Sequence, residues 1–220
     1  MWIGKGSALV ADRLRKSALA GVLRAGRFGV LGNTAGVQLQ QLEPSAMAQI
    51  NGADDAIKLH ALLSAFNLSQ PPAPLHCVSG SQIRLLWNGP GRYLAISESD
   101  TPETLVRSLT NLLRAADVSC VDLSHAMCGL RLHGPSAQEV IAKGCALDLE
   151  LMRPQACAPT AIGRFDVLLH CVSADTFELF VARSFAQSFA HWLLRAAAEF
   201  GVRVGCDPDV SPPVQRFEKA

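Results

Sequence analysis

Residues 83–97 allow few interpretations. Two largely apolar segments, Ile83–Trp87 and Arg92–Ser97, flank Asn88-Gly89-Pro90-Gly91. An asparagine, a proline and two glycines in four residues dictate a chain reversal, so the segments pair as an antiparallel hairpin. Thr101-Pro102 follows at once. A threonine hydroxyl accepts an amide hydrogen bond at a helix start, and proline suits the first helical position, where no N–H is needed. The helix it opens carries Leu105, Leu109, Leu112 and Ala116 as its apolar stripe. A hairpin feeding a helix points to an α+β domain with a largely antiparallel sheet and helices packed on it.

The same order recurs downstream. Phe165, Val167, Leu169 and Cys171 alternate along one segment, and Phe177, Leu179 and Val181 along the next, across Ser173-Ala174-Asp175. A helix then begins, with Ser184 as cap and Gln187 completing a capping box. Its core residues are expected to be Phe185, Phe189, Trp192, Leu193, Ala196 and Phe200, and Gly201 closes it. Gln187, His191, Arg195 and Glu199 share its other face at spacings of four. Two hairpin–helix units suggest a duplication, although no sequence repeat supports one.

Upstream, Val37–Leu42 and residues 46–50 read as strands broken at Glu43-Pro44. Asp54-Asp55 open a helix with the stripe Leu59, Leu62, Leu63 and Phe66 on one face. Pro71, Pro72 and Pro74 are expected to end it as a stiff linker. Residues 118–123 and 130–133 are strands. In the second, Leu130 and Leu132 alternate with Arg131 and His133, which predicts one wet face. Gly134-Pro135 starts a short helix through Val140 and Ile141, stopped by Gly144.

Gly26, Gly29, Gly32 and Gly36 mark the boundary of the domain. The expected division is an N-terminal arm over residues 1–32, one domain over 33–206 and a flexible tail over 207–220. The arm is basic, with Lys5, Arg13, Arg15, Lys16, Arg24 and Arg27 against Asp12 alone. Such a leader resembles a mitochondrial presequence and also a basic arm that lies on an acidic partner. The broken amphipathic pattern of Leu9, Val10, Leu14, Leu19, Val22 and Leu23 favours the arm. The chain has a net charge of +1, no electrostatic footprint for nucleic acid, and no run of 18 apolar residues. With 49% hydrophobic and only 18% charged residues, part of its surface suits a partner's cover. Seven cysteines without a C-x-x-C spacing read as buried thiols in a reducing, cytoplasmic compartment.

Chemistry is sparse. Gly32-Asn33-Thr34-Ala35-Gly36 lacks the lysine of a phosphate loop, and proline in Gly89-Pro90-Gly91 removes an amide that would hold phosphate. His76-Cys77 and His170-Cys171 are adjacent pairs, but strand neighbours point to opposite faces and cannot share one ion. Asp122-Leu123-Ser124-His125 has the residue types of a nucleophilic site, yet sequence neighbours rarely form a triad. Its simpler reading is a strand end at which Asp122 and Ser124 bond nearby backbone amides. Asp54-Asp55 and Asp207 with Asp209 read as caps or solvated groups. No residue is assigned a catalytic, cofactor-binding or metal-ligating role.

Asp122-Leu123-Ser124-His125, followed by Gly129-Leu130-Arg131-Leu132-His133-Gly134-Pro135, resembles the folate-binding domain of the glycine-cleavage aminomethyltransferase superfamily. Four further blocks narrow the resemblance: residues 35–39, 87–93, 143–149 and 183–193. Together they are similar to the gamma subunit of heterotetrameric sarcosine oxidase, from about Ala25 to Val204 and in the family's order. Tyr93 stands where many relatives carry Trp.

The resemblance implies a folate-domain fold without a cofactor of its own, packed against an alpha subunit in a complex that also holds beta and delta subunits. That complex oxidises sarcosine to glycine, passes the methyl carbon to tetrahydrofolate and reduces oxygen to peroxide. FAD, FMN, NAD, tetrahydrofolate and zinc are then expected in the partner subunits. The superfamily's folate-activating acid lies elsewhere in its chain, so Asp122 inherits no catalytic role. Three alternatives stay open: a gamma-like subunit of an N-methylglutamate dehydrogenase complex, a stand-alone folate-dependent aminomethyltransferase-like protein, and a scaffold for an unrelated partner through Arg195 and His191 on the last helix's polar face.

Overall fold

The computed structural model describes residues 17–30, 35–53, 56–114 and 117–205. The expected hairpin is present with the expected bounds, as β5 (Ile83–Trp87) and β6 (Arg92–Ser97). Gly89 and Gly91 take φ values of 123° and 63°, which a side chain would resist, and Arg92 N–H closes the turn on Gly89 O at 3.0 Å. β5 and β6 belong to a five-stranded sheet in the order β4 (Cys77–Ser79), β5, β6, β3 (Ala46–Asn51), β7 (Ser119–Asp122). The second hairpin, β10 (Phe165–Ser173) with β11 (Thr176–Ala182), sits in a seven-stranded sheet. Its order is β1 (Gly26–Phe28), β12 (Val202–Val204), β2 (Val37–Leu42), β8 (Met127–His133), β11, β10, β9 (Cys157–Ile162). Every neighbouring pair in both sheets is antiparallel except β12 with β2.

The strands are apolar on both faces because the two sheets lie face to face and each carries helices outside. Helices α1 (Ala56–Ala65) and α2 (Pro102–Leu113) cover the five-stranded sheet, packing Leu59, Leu62, Leu105 and Leu109 on Ile50, Leu85 and Ala95. Helices α3 (Ala137–Ala142) and α4 (Ala186–Ala197) cover the other, packing Val140, Phe189 and Leu193 with Leu130, Leu169 and Leu179. Between the sheets Met47, Leu86, Leu94 and Ile96 meet Cys157, Leu168 and Phe180. The result is a four-layer α/β/β/α stack. Each fully buried Phe, such as Phe177, Phe180 and Phe189, contributes roughly 1.5–3 kcal/mol by leaving water.

The duplication suspected in the sequence is real at the level of topology. β2-β3-α1-β4-β5-β6-α2 and β7-β8-α3-β9-β10-β11-α4 follow one scheme, and the two units exchange their first strands. β2 pairs with β8 of the second unit, and β7 pairs with β3 of the first. The units also join where β4 meets β9. There Cys77 N–H donates to Gln155 O and Cys157 N–H to Leu75 O, each at 2.8 Å. Leu75 and Gln155 both hold positive φ, 64° and 74°, on either side of this junction.

Several expectations need correction. Thr101 does cap α2, accepting Thr104 N–H at 3.2 Å, but Leu113 rather than Leu112 completes the buried stripe, and Ala116 is outside the described residues. Asn67, at φ 53°, ends the first helix before any proline: Leu68 N–H reaches Leu63 O at 2.8 Å in a Schellman closure. The capping box at Ser184 does not form. A 3-10 turn, Arg183–Phe185, precedes α4, and Gln187 Nε2 donates to Ala18 O instead, at 3.1 Å. That turn also leaves Phe185 56% exposed rather than in the core. The face of β8 carrying Arg131 and His133 meets the other sheet, not water alone: on it Arg131 binds Glu178, which also binds Arg84 of β5. Strands β1, β4, β9 and β12, unforeseen in the sequence, are short or, in β9, contain Pro159.

The described part of the expected arm is built into the domain. Leu19 is fully buried in the core beneath the seven-stranded sheet, with Val22 and Leu23 packed on it, and β1 pairs with β12. Residues 1–16, residues 31–34 with the first three positions of the phosphate-loop candidate at 32–36, Asp54, Asp55, Asp207, Asp209 and the tail lie outside the described residues.

Candidate functional site

The most concentrated chemistry lies between the sheets. Glu178, on the inward face of β11, is fully buried. It accepts from Arg84 Nη1 of β5 at 2.7 Å, from Arg131 Nη2 of β8 at 2.7 Å and from His170 Nδ1 of β10 at 3.1 Å. Burial pushes its carboxyl up, but the His170 hydrogen bond and the Arg84 charge outweigh that cost and hold it well below the usual carboxylate range. A carboxylate only accepts, so His170 Nδ1 carries the shared proton. Its Nε2 then faces Cys77 Sγ of β4 at 3.1 Å.

This cluster draws on five strands of both sheets and edges a cleft of about 440 Å³ that Ser79, Glu98, Gln155 and Val172 also line. Cys77, His170 and Glu178 stand in the order of nucleophile, base and orienting acid. Two facts disarm that order. Cys77 is 5% exposed, and burial pushes its thiol up to about 11, against the pull of Arg84. It is therefore a neutral thiol near pH 7, and the arrangement is best suited to locking one sheet onto the other. Arg131 Nε is the single buried side-chain nitrogen or oxygen without a hydrogen-bond partner among the described residues.

The two His-Cys pairs behave as strand neighbours must, yet one member of each meets the other pair. His170 and Cys77 turn inward, whereas Cys171 points into the opposite core and exposed His76 bonds Pro74 O. Sequence reasoning considered each pair alone and overlooked Glu178, Arg84 and Arg131. The available signal was a charged residue at an inward position of a strand otherwise apolar on both faces, Phe177-Glu178-Leu179-Phe180-Val181.

Asp122, Ser124 and His125 are not brought together as a catalytic group. Ser124 is fully buried: its Oγ accepts Met47 N–H at 2.9 Å and donates to Met47 O at 3.2 Å. Asp122 Oδ1 accepts Ser124 N–H at 2.8 Å, and His125 is exposed. The motif joins β7 to β3 across the exchanged strands. Among the described residues, no group of three or more His, Cys, Asp or Glu is placed to hold a metal ion.

Comparison with known proteins places these features. The model of the sarcosine oxidase gamma subunit family matches residues 50–199. A sarcosine oxidase subunit gamma from Corynebacterium sp. (strain U-96) is 30% identical over 145 residues, spanning 64% of this chain and 70% of that one. Its counterpart from Corynebacterium sp. (strain P-1) is 29% identical over 177 residues, spanning 77% and 84%. Among solved structures, a chain of the heterotetrameric sarcosine oxidase from Corynebacterium sp. U-96, in complex with pyrrole 2-carboxylate, superposes with a TM-score of 0.68 at 27% identity. That match covers 78% of this chain and 88% of the other. Glycine cleavage system aminomethyltransferase T from Bartonella henselae superposes at 0.55 with 15% identity, over 75% of this chain and 49% of that one, a likeness of fold alone. The α+β class with largely antiparallel sheets, and its kinship with the folate-binding fold, are as expected.

Proposed function

The chain belongs to the sarcosine oxidase gamma subunit family, and on that premise we propose that it is a non-catalytic accessory subunit of a heterotetrameric sarcosine oxidase. The observation that carries this reading is the extent of the match. Residues 50–199 reach from β3 through α4, and the superposition onto a chain of a heterotetramer covers most of both molecules.

In this reading the assembly demethylates sarcosine to glycine, gives methylenetetrahydrofolate and releases hydrogen peroxide. The chain packs against the alpha subunit, with beta and delta completing the complex. FAD, FMN, NAD, tetrahydrofolate and zinc reside in those partners. Chemistry inside this chain supports the assignment: its densest polar cluster is a lock between sheets whose thiol stays protonated. The residues before Leu19 serve as a basic arm, the domain extends to 206, and the tail follows. A cytoplasmic setting accords with free thiols at the six described cysteines, and no helix among the described residues is long and apolar enough to cross a membrane.

The test is a tagged pull-down from the native host, with flavin absorbance and sarcosine-dependent peroxide release read on the eluate. A yellow complex that turns over sarcosine supports the accessory role. A colourless chain eluting alone removes it.

A further inference from the structure

Helix α4 presents its inner face to the core, and Trp192 marks the border of its outer face. There His191 and Arg195, one turn apart, join Arg164 from the β9–β10 turn around a cleft of about 610 Å³. Its apolar wall is the half-buried Trp192 indole, backed by the Phe165 ring, which is itself only 4% exposed. The wall is held in place from behind. Trp192 stacks on buried Phe189 at 6.2 Å with an interplanar angle of 4°, and it fills space that glycines leave open. A Cβ at Gly144 would meet the indole at 2.5 Å, and one at Gly163 would meet it at 3.2 Å. Exposed Phe185 stands edge-on to Phe165, with ring centroids 6.4 Å apart.

The charges around this wall are unanswered. Arg164, His191 and Arg195 are exposed, and no side-chain hydrogen bond or ion pair ties any of them to another described residue. Arg164 makes only a ring contact, its guanidinium carbon 5.5 Å from the Phe165 centroid. Asp166, the nearest acid along the chain, pairs with neither arginine. Some other cations are paired, Arg84 and Arg131 with Glu178 and Lys143 with Glu199, whereas exposed Arg107 on α2 is also without an ion pair among the described residues. Two unpaired arginines beside a preformed Trp–Phe wall and an exposed Phe have the composition of an interface centre, where Arg and aromatic residues concentrate. Nucleic acid is disfavoured, since the patch is confined to one cleft and the chain as a whole carries a net charge of only +1.

We propose that this cleft receives an acidic segment of a partner subunit, two carboxylates meeting Arg164 and Arg195 and an apolar side chain resting on Trp192, Phe165 and Phe185. This rests on the accessory-subunit reading and names the surface that serves it.

The test uses the full chain co-expressed with the other subunits. Arg164→Glu with Arg195→Glu, and separately Phe185→Ala, are compared with Arg107→Glu on the exposed side of α2. Circular dichroism melts check that each variant folds. The double reversal is expected to weaken assembly at least about tenfold and Phe185→Ala several-fold, with the Arg107 control unchanged. Raising salt from about 0.05 to 0.5 M should loosen the wild-type complex far more than the double variant. Full assembly by folded double variants overturns the cleft while leaving the accessory role intact.

If the wild-type chain does not assemble at all, the accessory role falls first, and a second arm decides the cleft. The isolated protein is titrated with the peptide acetyl-Glu-Phe-Glu-Asp-Leu-Glu-amide, its Gln/Asn counterpart and a 12-nucleotide single strand, with Trp192 indole N–H followed by NMR. A shift with the acidic peptide alone supports the proposal. No shift, or a response only to the oligonucleotide, overturns it.

Discussion

Glu178 shows how one side chain links two sheets. Its three donors come from β5, β8 and β10, so removing it leaves two largely buried arginines facing each other between the sheets. Glu178→Ala is expected to cost about 3–5 kcal/mol in urea denaturation, the range for breaking a buried ion pair from one side. The pH dependence follows from the direction of the shift. A carboxyl with its folded pKa lowered contributes stability that is complete above its unfolded value, about 4.3, and is lost as pH falls below it. Glu178→Gln should therefore flatten the acid limb of the stability profile. The alkaline limb has the opposite origin. Burial raises Cys77 to about 11 and Cys157 to about 12, so the unfolded thiols ionise first. Stability should be intact below pH about 9 and decline as pH rises through 11–12. Cys157→Ala, measured by denaturation across that window, should reduce the decline.

At the scale of elements, helix ends and close approaches matter more than helix propensity. Asn67 holds φ 53° so that Leu68 can close α1 on Leu63, bringing two apolar side chains of one core together. Asn67→Ala should lower stability by about 1 kcal/mol, because a Cβ without the local hydrogen bonding of Asn resists that conformation. Asn67→Gly should not, and comparing the two urea midpoints separates backbone strain from lost side-chain contacts. Gly144 tests the packing of α4. A Cβ there would lie 2.5 Å from the Trp192 ring and 2.7 Å from Gly163 N, so Gly144→Ala is expected to cost about 1–3 kcal/mol. The same change should disturb the proposed docking wall, read as a shift in tryptophan emission.

For the whole molecule, the exchanged first strands have a mechanical consequence. Each sheet is completed by a strand from the other unit, and the inner faces meet through Met47, Leu94, Leu168 and Phe180. A chain divided after Arg114 should give two fragments that lack cooperative unfolding alone. Mixing them should restore the near-ultraviolet circular dichroism of the intact protein. Cooperative melting by either fragment alone would show that strand exchange is not required for folding.

Local chemistry made much of this legible in advance. The turn at 88–91, the Thr101 cap and the stripe of α1 were readable because each rests on residues within a few positions of one another. So were both hairpins and the folate-domain resemblance at 122–135. The short edge strands β1, β4, β9 and β12 were not, because they exist only through pairing with distant partners. Residues 17–30 were mistaken for arm because the burial of Leu19 is decided by strands far along the chain. The Glu178 cluster was invisible for the same reason: Arg84 and Glu178 alone are 94 positions apart, and no local pattern marks which strand faces will meet. Sequence alone determined the elements whose free energy is local, along with the family. Only the tertiary structure decided the strand exchange, the buried charge lock and the unpaired arginines beside Trp192, since each depends on which faces two sheets and their helices turn to one another.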